Sequence, residues 1–282
     1  MCLIAFALNA DPACPLLIAA NRDEYLDRPT APLHRWSLAD GTEVVGGRDL
    51  RDGGTWLGIN PQGRVAMLTN VRQAMAGPGS RSRGELVTRW LQADSDEDRF
   101  AESIDPEAYG GFNLVVGDFH ARRWSWLGNR HPDDPHEIHP PVLHRQALGA
   151  GVYGLSNASL DTPWPKTQRL KQAAIASLEH LREDPAGRWT DPLAHALFDD
   201  HPAPDRDTPR TGVPIDAERA LSSPFVRMPE RAYGTRSSLL VSARPAASGW
   251  QVDLMEWTHD HASNRSSTLP GEPHQRMALI WP

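Results

Sequence analysis

The chain has 282 residues, of which 23% are charged, and its formal net charge is −7. This length suffices for one large domain that buries most of its surface, and the acidic balance gives no general attraction to nucleic acid or to anionic lipid. With only two cysteines, the chain has neither a disulfide framework nor a CxxC metal site, which favours a reducing compartment.

The apolar run at residues 2–8 is too short for the h-region of a signal peptide, and no basic segment precedes it. No apolar stretch reaches the length that spans a bilayer. We therefore expect a cytoplasmic protein without a membrane span. The sequence contains no coiled-coil pattern and does not indicate an oligomeric state.

The first half of the chain alternates short apolar runs with turns. Runs bounded by turn residues predict strands, and apolar residues three or four positions apart predict helices. The predicted elements are hairpins at residues 3–20 and 55–69, helices at residues 82–92 and 94–104, and strands at residues 112–117 and 122–128.

The second half contains the longest predicted helix. Thr162 is placed to cap it, Pro163 takes its first position, and apolar residues recur at helical spacing through Leu181. The other predicted elements are a strand at residues 152–156, a helix at 191–198, an exposed loop at 201–214, and strands at 237–242, 250–257 and 276–281. Because no repeat or low-complexity linker interrupts it, the pattern predicts one α+β domain over residues 1–282 with mainly antiparallel strands.

Cys2 is the first candidate for a catalytic residue. If Met1 is removed, Cys2 carries a thiol and a free α-amine on one carbon, with ordinary pKa values of about 8.5 and about 7.7–8.0. A nucleophile with its own base beside it is an established activation scheme. The alternative is a small buried residue at the start of a strand, since free cysteine usually packs as a hydrophobic group.

A charged cluster, Asn21-Arg22-Asp23-Glu24, follows the apolar run at residues 16–20. An arginine near a thiol lowers its pKa, and an aspartate can accept a hydrogen bond from an α-amine. Arg22 and Asp23 are therefore candidate site residues. The alternative is an ordinary charged turn on the surface.

Three further polar residues stand next to predicted strands. Asn70 follows the strand at residues 64–69, and Asn157 follows the one at 152–156. A side-chain amide is a neutral donor suited to a developing oxyanion, although each asparagine alone is more often a turn residue. Arg236 could neutralise a substrate carboxylate or support the nucleophile, or it could be a surface ion-pair partner of little energetic weight.

Two pairs of glycines, Gly46-Gly47 and Gly53-Gly54, make the region around residue 50 glycine-rich. The Gly-Lys-Ser/Thr ending of a phosphate-binding loop is missing, so nucleotide binding is weakly supported. Close approach of the backbone to a ligand or to another strand is the favoured interpretation.

Several motifs in the same order resemble the NRDE family, the family of the Transport and Golgi Organization 2 protein. They are Met1-Cys2, Asn21-Arg22-Asp23-Glu24, Gly53-Gly54-Thr55-Trp56-Leu57-Gly58, Leu68-Thr69-Asn70-Val71-Arg72, Ser82-Arg83-Gly84-Glu85, Tyr153-Gly154-Leu155-Ser156-Asn157 and Tyr233-Gly234-Thr235-Arg236-Ser237-Ser238. The resemblance runs from residue 1 to about residue 258. The family is similar to N-terminal-nucleophile (Ntn) hydrolases, which implies a four-layer αββα sandwich of two mainly antiparallel sheets between helices.

By pattern, the site residues resemble those of penicillin V acylase and bile salt hydrolase. This likeness implies that Cys2 attacks the carbonyl of an amide, ester or thioester in a small acyl substrate. The α-amine of Cys2 would relay the proton, and Asp23 would orient that amine. Asp23 directly follows Arg22 here, whereas the acylases space these two residues further apart.

The same likeness implies roles for the remaining candidates. The side chains of Asn70 and Asn157 would stabilise the oxyanion together with a backbone N–H. Arg22 and Arg236 would set the thiolate and the local field. No cofactor or metal is required in this scheme.

The alternative is a carrier or chaperone without turnover, because the family resemblance also implies haem trafficking and acyl-CoA or lipid handling. Ten tryptophans could line an apolar pocket, although most large aromatic side chains fill cores. A Pro-rich stretch with metal-ligating residue types contains His131, Asp133, Asp134, His136, His139 and His144, and a weaker histidine pair is His259 and His261. Such a stretch could bind a metal or haem iron, but no tight ligand spacing distinguishes it from a solvated loop.

Overall fold

A computed structural model describes residues 2–73, 77, 79–137, 139–261 and 271–282. The strands are β1 (Cys2–Leu8), β2 (Leu16–Tyr25), β3 (Thr30–Ser37), β4 (Glu43–Asp49), β5 (Leu57–Ile59), β6 (Arg64–Asn70), β7 (Phe112–Asp118), β8 (Arg123–Gly128), β9 (His144–Ala147), β10 (Gly151–Leu155), β11 (Arg227–Met228), β12 (Tyr233–Pro245), β13 (Trp250–Thr258) and β14 (Gln275–Trp281). The helices are α1 (Gly84–Gln92), α2 (Glu97–Glu102), α3 (Pro165–Glu183), α4 (Asp191–Leu197) and α5 (Ile215–Ala220), with single 3₁₀ turns at Pro106–Ala108, Asp205–Asp207 and Pro229–Arg231.

The strands form two seven-stranded antiparallel sheets. The first sheet has the order β10-β1-β2-β12-β13-β14, with β11 paired to β12, and the second runs from β3 to β9 in chain order. Strand β1 lies between β10 and β2, where Leu8 pairs with Leu16 and Cys2 pairs with Arg22. The first residue of β1 is therefore held inside the first sheet.

Side-chain alternation along β1 explains why its sequence is apolar throughout. Ile4 and Phe6 face the second sheet and pack with residues such as Met67, whereas Leu3 and Ala5 belong to the core beneath the helices. A strand covered on both faces has no solvent side to carry polar residues.

Helices cover the outer faces of both sheets. Leu170, Leu178 and Leu181 of α3 pack on the first sheet, and Leu86 and Trp90 of α1 pack on the second. Fully burying one such side chain stabilises the fold by about 1.5–3 kcal/mol. The resulting order is helices, sheet, sheet, helices, and this four-layer αββα sandwich confirms the expected fold. None of the described helices is long and apolar enough to cross a bilayer.

Helix α3 begins at Pro165, three residues after the predicted cap Thr162. The reason is the pair Pro163 and Pro165, because a residue before proline is pushed out of the helical region. Trp164 is accordingly extended, with φ −66° and ψ 144°, and Pro165 takes the first helical position. Thr162 instead exchanges hydrogen bonds with the backbone of Ser159.

Other predicted boundaries differ more. The Asn21–Glu24 segment continues β2, with Asn21, Arg22 and Asp23 buried and Glu24 half-buried, instead of forming the alternative surface turn. Strands β3 and β4 were not predicted, because β3 is an edge strand interrupted by a register shift next to Pro32 and β4 carries two glycines. A Cβ on Gly46 would lie 2.6 Å from the carbonyl oxygen of Leu57, which confirms that this glycine serves a close approach between strands.

Candidate active site

Cys2 and Arg22 lie side by side on the inner face of the first sheet. Directly opposed residues of an antiparallel pair point to the same side, and Cys2 belongs to the core between the two sheets. The hydroxyl of Ser156 donates to the carbonyl oxygen of Cys2 at 3.1 Å. This contact ties the start of β1 to the end of β10. Met1 lies outside the described residues.

A cleft of about 380 Å³ opens at this end of the sandwich. Four of the predicted site residues line it, namely Cys2, Arg22, Asp23 and Asn70. Cys2 is 7% exposed. A thiol at the wall of a cleft is accessible to a small molecule although most of its surface is buried. Asn157 and Arg236 are not part of the cleft lining.

Asp23 is anchored from the neighbouring strand. The hydroxyl of Thr235, its partner in β12, donates to Asp23 Oδ1 at 2.7 Å, and the hydroxyl of Tyr233 donates to the Asp23 carbonyl at 2.9 Å. Burial raises the pKa of Asp23, while the charge of Lys166 and the hydrogen bond from Thr235 lower it. The carboxyl group is thus held in one orientation inside the protein.

Arg22 supplies positive charge beside the thiol. Its guanidinium lies 3.5 Å from Asp49 and 3.8 Å from Glu24, and it donates to the hydroxyl of Thr30 at 3.3 Å. Burial is the largest influence on Cys2 and raises its pKa, whereas Arg22 lowers it. Burial therefore opposes formation of the thiolate at Cys2, and a nearby base would assist its attack on a carbonyl.

The two candidate asparagines are connected to each other. Asn157 is buried. Its side-chain amide donates to the backbone carbonyl of Asn70 at 2.9 Å. The backbone carbonyl of Asn157 accepts from the backbone N–H of Arg72 at 2.8 Å. Asn70 is the last residue of β6 and lines the cleft. Asn157 therefore holds the strand end that carries Asn70.

Arg236 lies at a β-bulge. Thr235 pairs with Asp23 and Ser237 pairs with Arg22, so Arg236 is the extra residue of β12. Its guanidinium donates to the carbonyl oxygens of Tyr25 and Arg28 at 2.9 and 3.0 Å. It thereby fixes the turn that follows β2 instead of reaching the cleft.

Three buried charged residues near Asp23 were not predicted. Arg72 and Glu218 form an ion pair at 2.7 Å with side chains only 3% and 2% exposed. Lys166 is also buried, donates to the Leu221 carbonyl at 2.8 Å, and has its pKa lowered by burial to about 8. We call Arg72, Lys166 and Glu218 the buried charge cluster. The sequence could have indicated that Lys166 is buried, because it stands four residues before Leu170 on the apolar stripe of α3.

The histidines of the Pro-rich stretch do not all come together. The ring of His131 lies 5.9 Å from that of His139 and 5.6 Å from that of His144. His136 stacks on Trp164 with a ring separation of 5.8 Å. Among the residues that the structure describes, no group of three histidine, cysteine or acidic side chains is arranged to hold a metal ion.

His259 is half-buried and packs against Phe198 and Phe225. Its Nε2 is 2.8 Å from the hydroxyl of Ser238, and burial lowers its pKa to about 3. The same hydroxyl donates to Asn21 Oδ1 at 2.6 Å, and the Asn21 amide donates to the carbonyls of Leu197 and Pro224. Asn21 therefore joins β2 to the segments that cover it.

Structural comparison finds resemblances at low sequence identity. An N-acylethanolamine-hydrolyzing acid amidase ortholog from Caenorhabditis elegans is 12% identical with a TM-score of 0.41, and the match covers 69% of this chain and 85% of that one. A variant of conjugated bile acid hydrolase from Clostridium perfringens is 10% identical with a TM-score of 0.42, and the match covers 99% of this chain and 97% of that one.

Sequence comparison finds relatives over most of the chain. The bovine Transport and Golgi organization protein 2 homolog is 34% identical over 258 residues, which cover 86% of this chain and 88% of the relative. The Drosophila melanogaster Transport and Golgi organization protein 2 is 29% identical and covers 86% of this chain and 87% of the relative. The family profile described as Transport and Golgi organisation 2 matches residues 1–261. The chain therefore belongs to the Transport and Golgi organisation 2 family.

Proposed function

We propose that this protein is an N-terminal-cysteine hydrolase that cleaves the amide, ester or thioester bond of a small acyl substrate. The observation that supports it is the position of Cys2 in the cleft wall, with Arg22 opposite it in the sheet and Asp23 and Asn70 in the same lining. These residues offer a nucleophile, a positive charge, an orienting acceptor and a neutral donor within one cavity.

The reaction begins after removal of Met1 frees the α-amine of Cys2. The amine takes the thiol proton while the sulfur attacks the substrate carbonyl carbon, which gives a tetrahedral oxyanion. Collapse of that intermediate expels the amine, alcohol or thiol, which leaves with the proton from the α-amine. Water then attacks the thioester, the α-amine again accepts a proton, and the carboxylic acid is released with the thiol restored.

The remaining site residues have supporting roles in this proposal. Asp23, held by Thr235, accepts a hydrogen bond from the α-ammonium and keeps the amine turned toward the sulfur. Asn70 donates to the oxyanion from the cleft wall, and one such donor lowers the barrier by about 3 kcal/mol. Asn157 acts through Asn70 by holding its backbone.

A second candidate is a non-catalytic carrier or chaperone for haem or for acyl-CoA or another lipid in the same cleft. The observation that favours it is the lining, which contains Arg22, Arg28, Arg51, Arg81 and Arg83. Such ligands are anionic, and a cleft with several guanidinium groups attracts anions.

Turnover of a panel of acyl amides, esters and acyl-CoA thioesters tests the hydrolase proposal. We expect Cys2→Ala to reduce kcat/KM by about 10³-fold or more, since loss of a nucleophile removes the covalent route. The matched control is Cys14→Ala, whose side chain is buried outside the cleft and which should keep the wild-type rate within about twofold.

Persistent turnover in Cys2→Ala would reject Cys2 as the nucleophile. Intact mass measures whether Met1 is present, and turnover by a protein that retains Met1 would reject the α-amine relay. Haem titration followed in the Soret region tests the carrier. A shift at equimolar haem together with no turnover on any substrate of the panel would replace the hydrolase by the carrier.

A further inference from the structure

We infer that Arg83 binds a carboxylate group of the acyl substrate, so that the preferred substrates of this cleft are acyl compounds carrying one negative charge. That the bound anion is a substrate rests on the proposed function, whereas the anion site itself is inferred from how the charges in the cleft are paired. Arg83 precedes α1 and lines the same cleft as Cys2.

Most of the arginines in the cleft wall already have acidic partners. Arg28 lies 2.5 Å from Asp49 and 2.7 Å from Asp52. Arg22 lies 3.5 Å from Asp49, and Arg81 contacts Glu85 at 2.6 Å. These guanidinium groups are largely neutralised where they stand, so they are poor candidates for binding a further anion.

Arg83 differs because no carboxylate of the described residues lies within ion-pair distance of it. Its single protein partner in that part of the chain is the Gly111 carbonyl, which accepts from Nη1 at 3.2 Å. A guanidinium has five N–H donors in a planar fork, so most of its binding capacity is unused.

Burial distinguishes Arg83 from Arg51, the other cleft arginine without an acidic side-chain partner among the described residues. Arg51 is exposed, so bulk water solvates its charge, whereas Arg83 is half-buried. Burial lowers the pKa of Arg83, and the nearby charges of Glu24 and Cys2 raise it. A half-buried guanidinium gains more from an anion than an exposed one, because water screens it less.

The charge balance of the cleft selects the kind of anion. Its lining contains five arginines and four acidic residues, namely Asp23, Glu24, Asp49 and Asp52, and Arg81 has a further acidic partner, Glu85, outside the lining. Arg83 is therefore the half-buried arginine of the lining that lacks a carboxylate partner among the described residues. One such arginine suits a single carboxylate, whose two oxygens match the guanidinium fork, better than a polyphosphate.

Alkylation of Cys2 tests the inference without a known substrate. Iodoacetate and iodoacetamide react with a thiolate by the same displacement of iodide. Iodoacetate carries a carboxylate, whereas iodoacetamide carries a neutral amide in its place. The rate of each reagent at Cys2 is measured by peptide mass spectrometry, and their ratio is compared with the ratio for free glutathione. We expect the ratio at Cys2 to exceed the glutathione ratio by about tenfold at low salt and to fall as salt is added.

Variants assign the effect to one side chain. Arg83→Met should bring the ratio down to the glutathione value, Arg83→Lys should keep part of the preference as a point charge, and Arg51→Met should leave the ratio within about twofold of wild type. Thermal unfolding verifies that each variant is folded. If Arg83→Met does not fold, the alkylation ratio of Arg83→Lys is compared with that of the wild type instead.

A wild-type ratio equal to that of glutathione, or a preference for iodoacetate that survives in Arg83→Met, would overturn the inference. If Cys2→Ala retains hydrolase activity but the alkylation ratio depends on Arg83, the proposed nucleophile fails while the anion site stands. The two proposals therefore fail separately.

Discussion

The two ends of the β1–β2 hairpin have opposite surroundings. At the open end Cys2 pairs with Arg22, and charged residues and the cleft lie around them. At the turn end Leu8 pairs with Leu16, and Cys14 donates a hydrogen bond to the Leu16 carbonyl at 3.2 Å within an apolar core. One hairpin thus places one cysteine in the wall of a charged cleft and the other in an apolar core outside that cleft.

The same contrast extends across the sandwich. Beyond the turn end the two sheets meet through aromatic rings, such as Phe119 and Trp281 with centroids 4.8 Å apart. At the open end a carboxyl joins them, because Glu256 of β13 accepts from the backbone N–H of Leu33 in β3 at 2.6 Å. Burial is the largest influence on both thiols and raises the pKa of each, so the position of Cys2 in the cleft wall is what distinguishes it. The open end should therefore respond to changes of charge, and three measurements test this.

The largest effect is expected for Glu218→Gln in the buried charge cluster. The substitution removes the carboxylate that lies 2.7 Å from the buried guanidinium of Arg72, which should lower the free energy of unfolding by about 3–5 kcal/mol in urea titrations. Asp216→Asn is the matched control, because Asp216 also lies on α5 but its ion pair with Arg231 is exposed. It should change stability by less than about 1 kcal/mol. Equal losses in the two variants would contradict the charge dependence of the open end.

A smaller effect concerns pH and Glu256. Burial raises the pKa of this carboxyl from 4.5 to about 7. The folded-state pKa is above the unfolded one, so the stabilisation is complete below pH 4.5 and is lost as pH rises through about 7. The stability of the wild type relative to Glu256→Gln should fall by about 3 kcal/mol between roughly pH 4.5 and pH 9.

Urea unfolding at several pH values measures this difference. Glu230→Gln, a change at an exposed glutamate, should leave the wild-type profile in place. A pH profile of Glu256→Gln that runs parallel to that of the wild type would show that this carboxyl does not set the alkaline loss of stability.

The smallest effect is expected for thiol labelling by a neutral reagent at pH 8. Burial raises the pKa of Cys14 to about 12, so its thiolate fraction is on the order of 10⁻⁴. Cys2 faces the cleft, and we expect it to react about 100-fold faster, which corresponds to about 2.7 kcal/mol. In urea the two rates should agree within about threefold. Equal rates in the folded protein would remove the distinction between the two ends.

Much of the fold follows from local patterns. Helices α1 and α3 and the strands with regular alternation were predicted because their apolar residues repeat at 3.6 or 2 positions. The register of the first hairpin was not predicted, because a connection that runs from Asn9 to Pro15 does not by itself fix which residues of the two strands pair. The chain winds through Cys14 before β2 starts, and the register that results pairs Cys2 with Arg22.

The site divides in the same way. The motifs of the family resemblance contain four residues that line the cleft, namely Cys2, Arg22, Asp23 and Asn70. The contact of Asn157 with Asn70 joins residues 87 positions apart, and that of Arg72 with Glu218 joins residues 146 apart. No local pattern specifies such pairs, because they depend on how the two sheets and α5 are packed. The catalytic and binding roles themselves stay predictions.

The bulge in β12 makes Arg236 a natural point of insertion. Thr235 and Ser237 pair with Asp23 and Arg22, which are consecutive in β2, so the ladder on either side is in regular register. A relative one residue shorter at this point would keep both pairs and lose mainly the guanidinium and the hydrogen bond from the His259 N–H to the Arg236 carbonyl. A deletion at position 236 should therefore leave the side chains of both strands on their present faces.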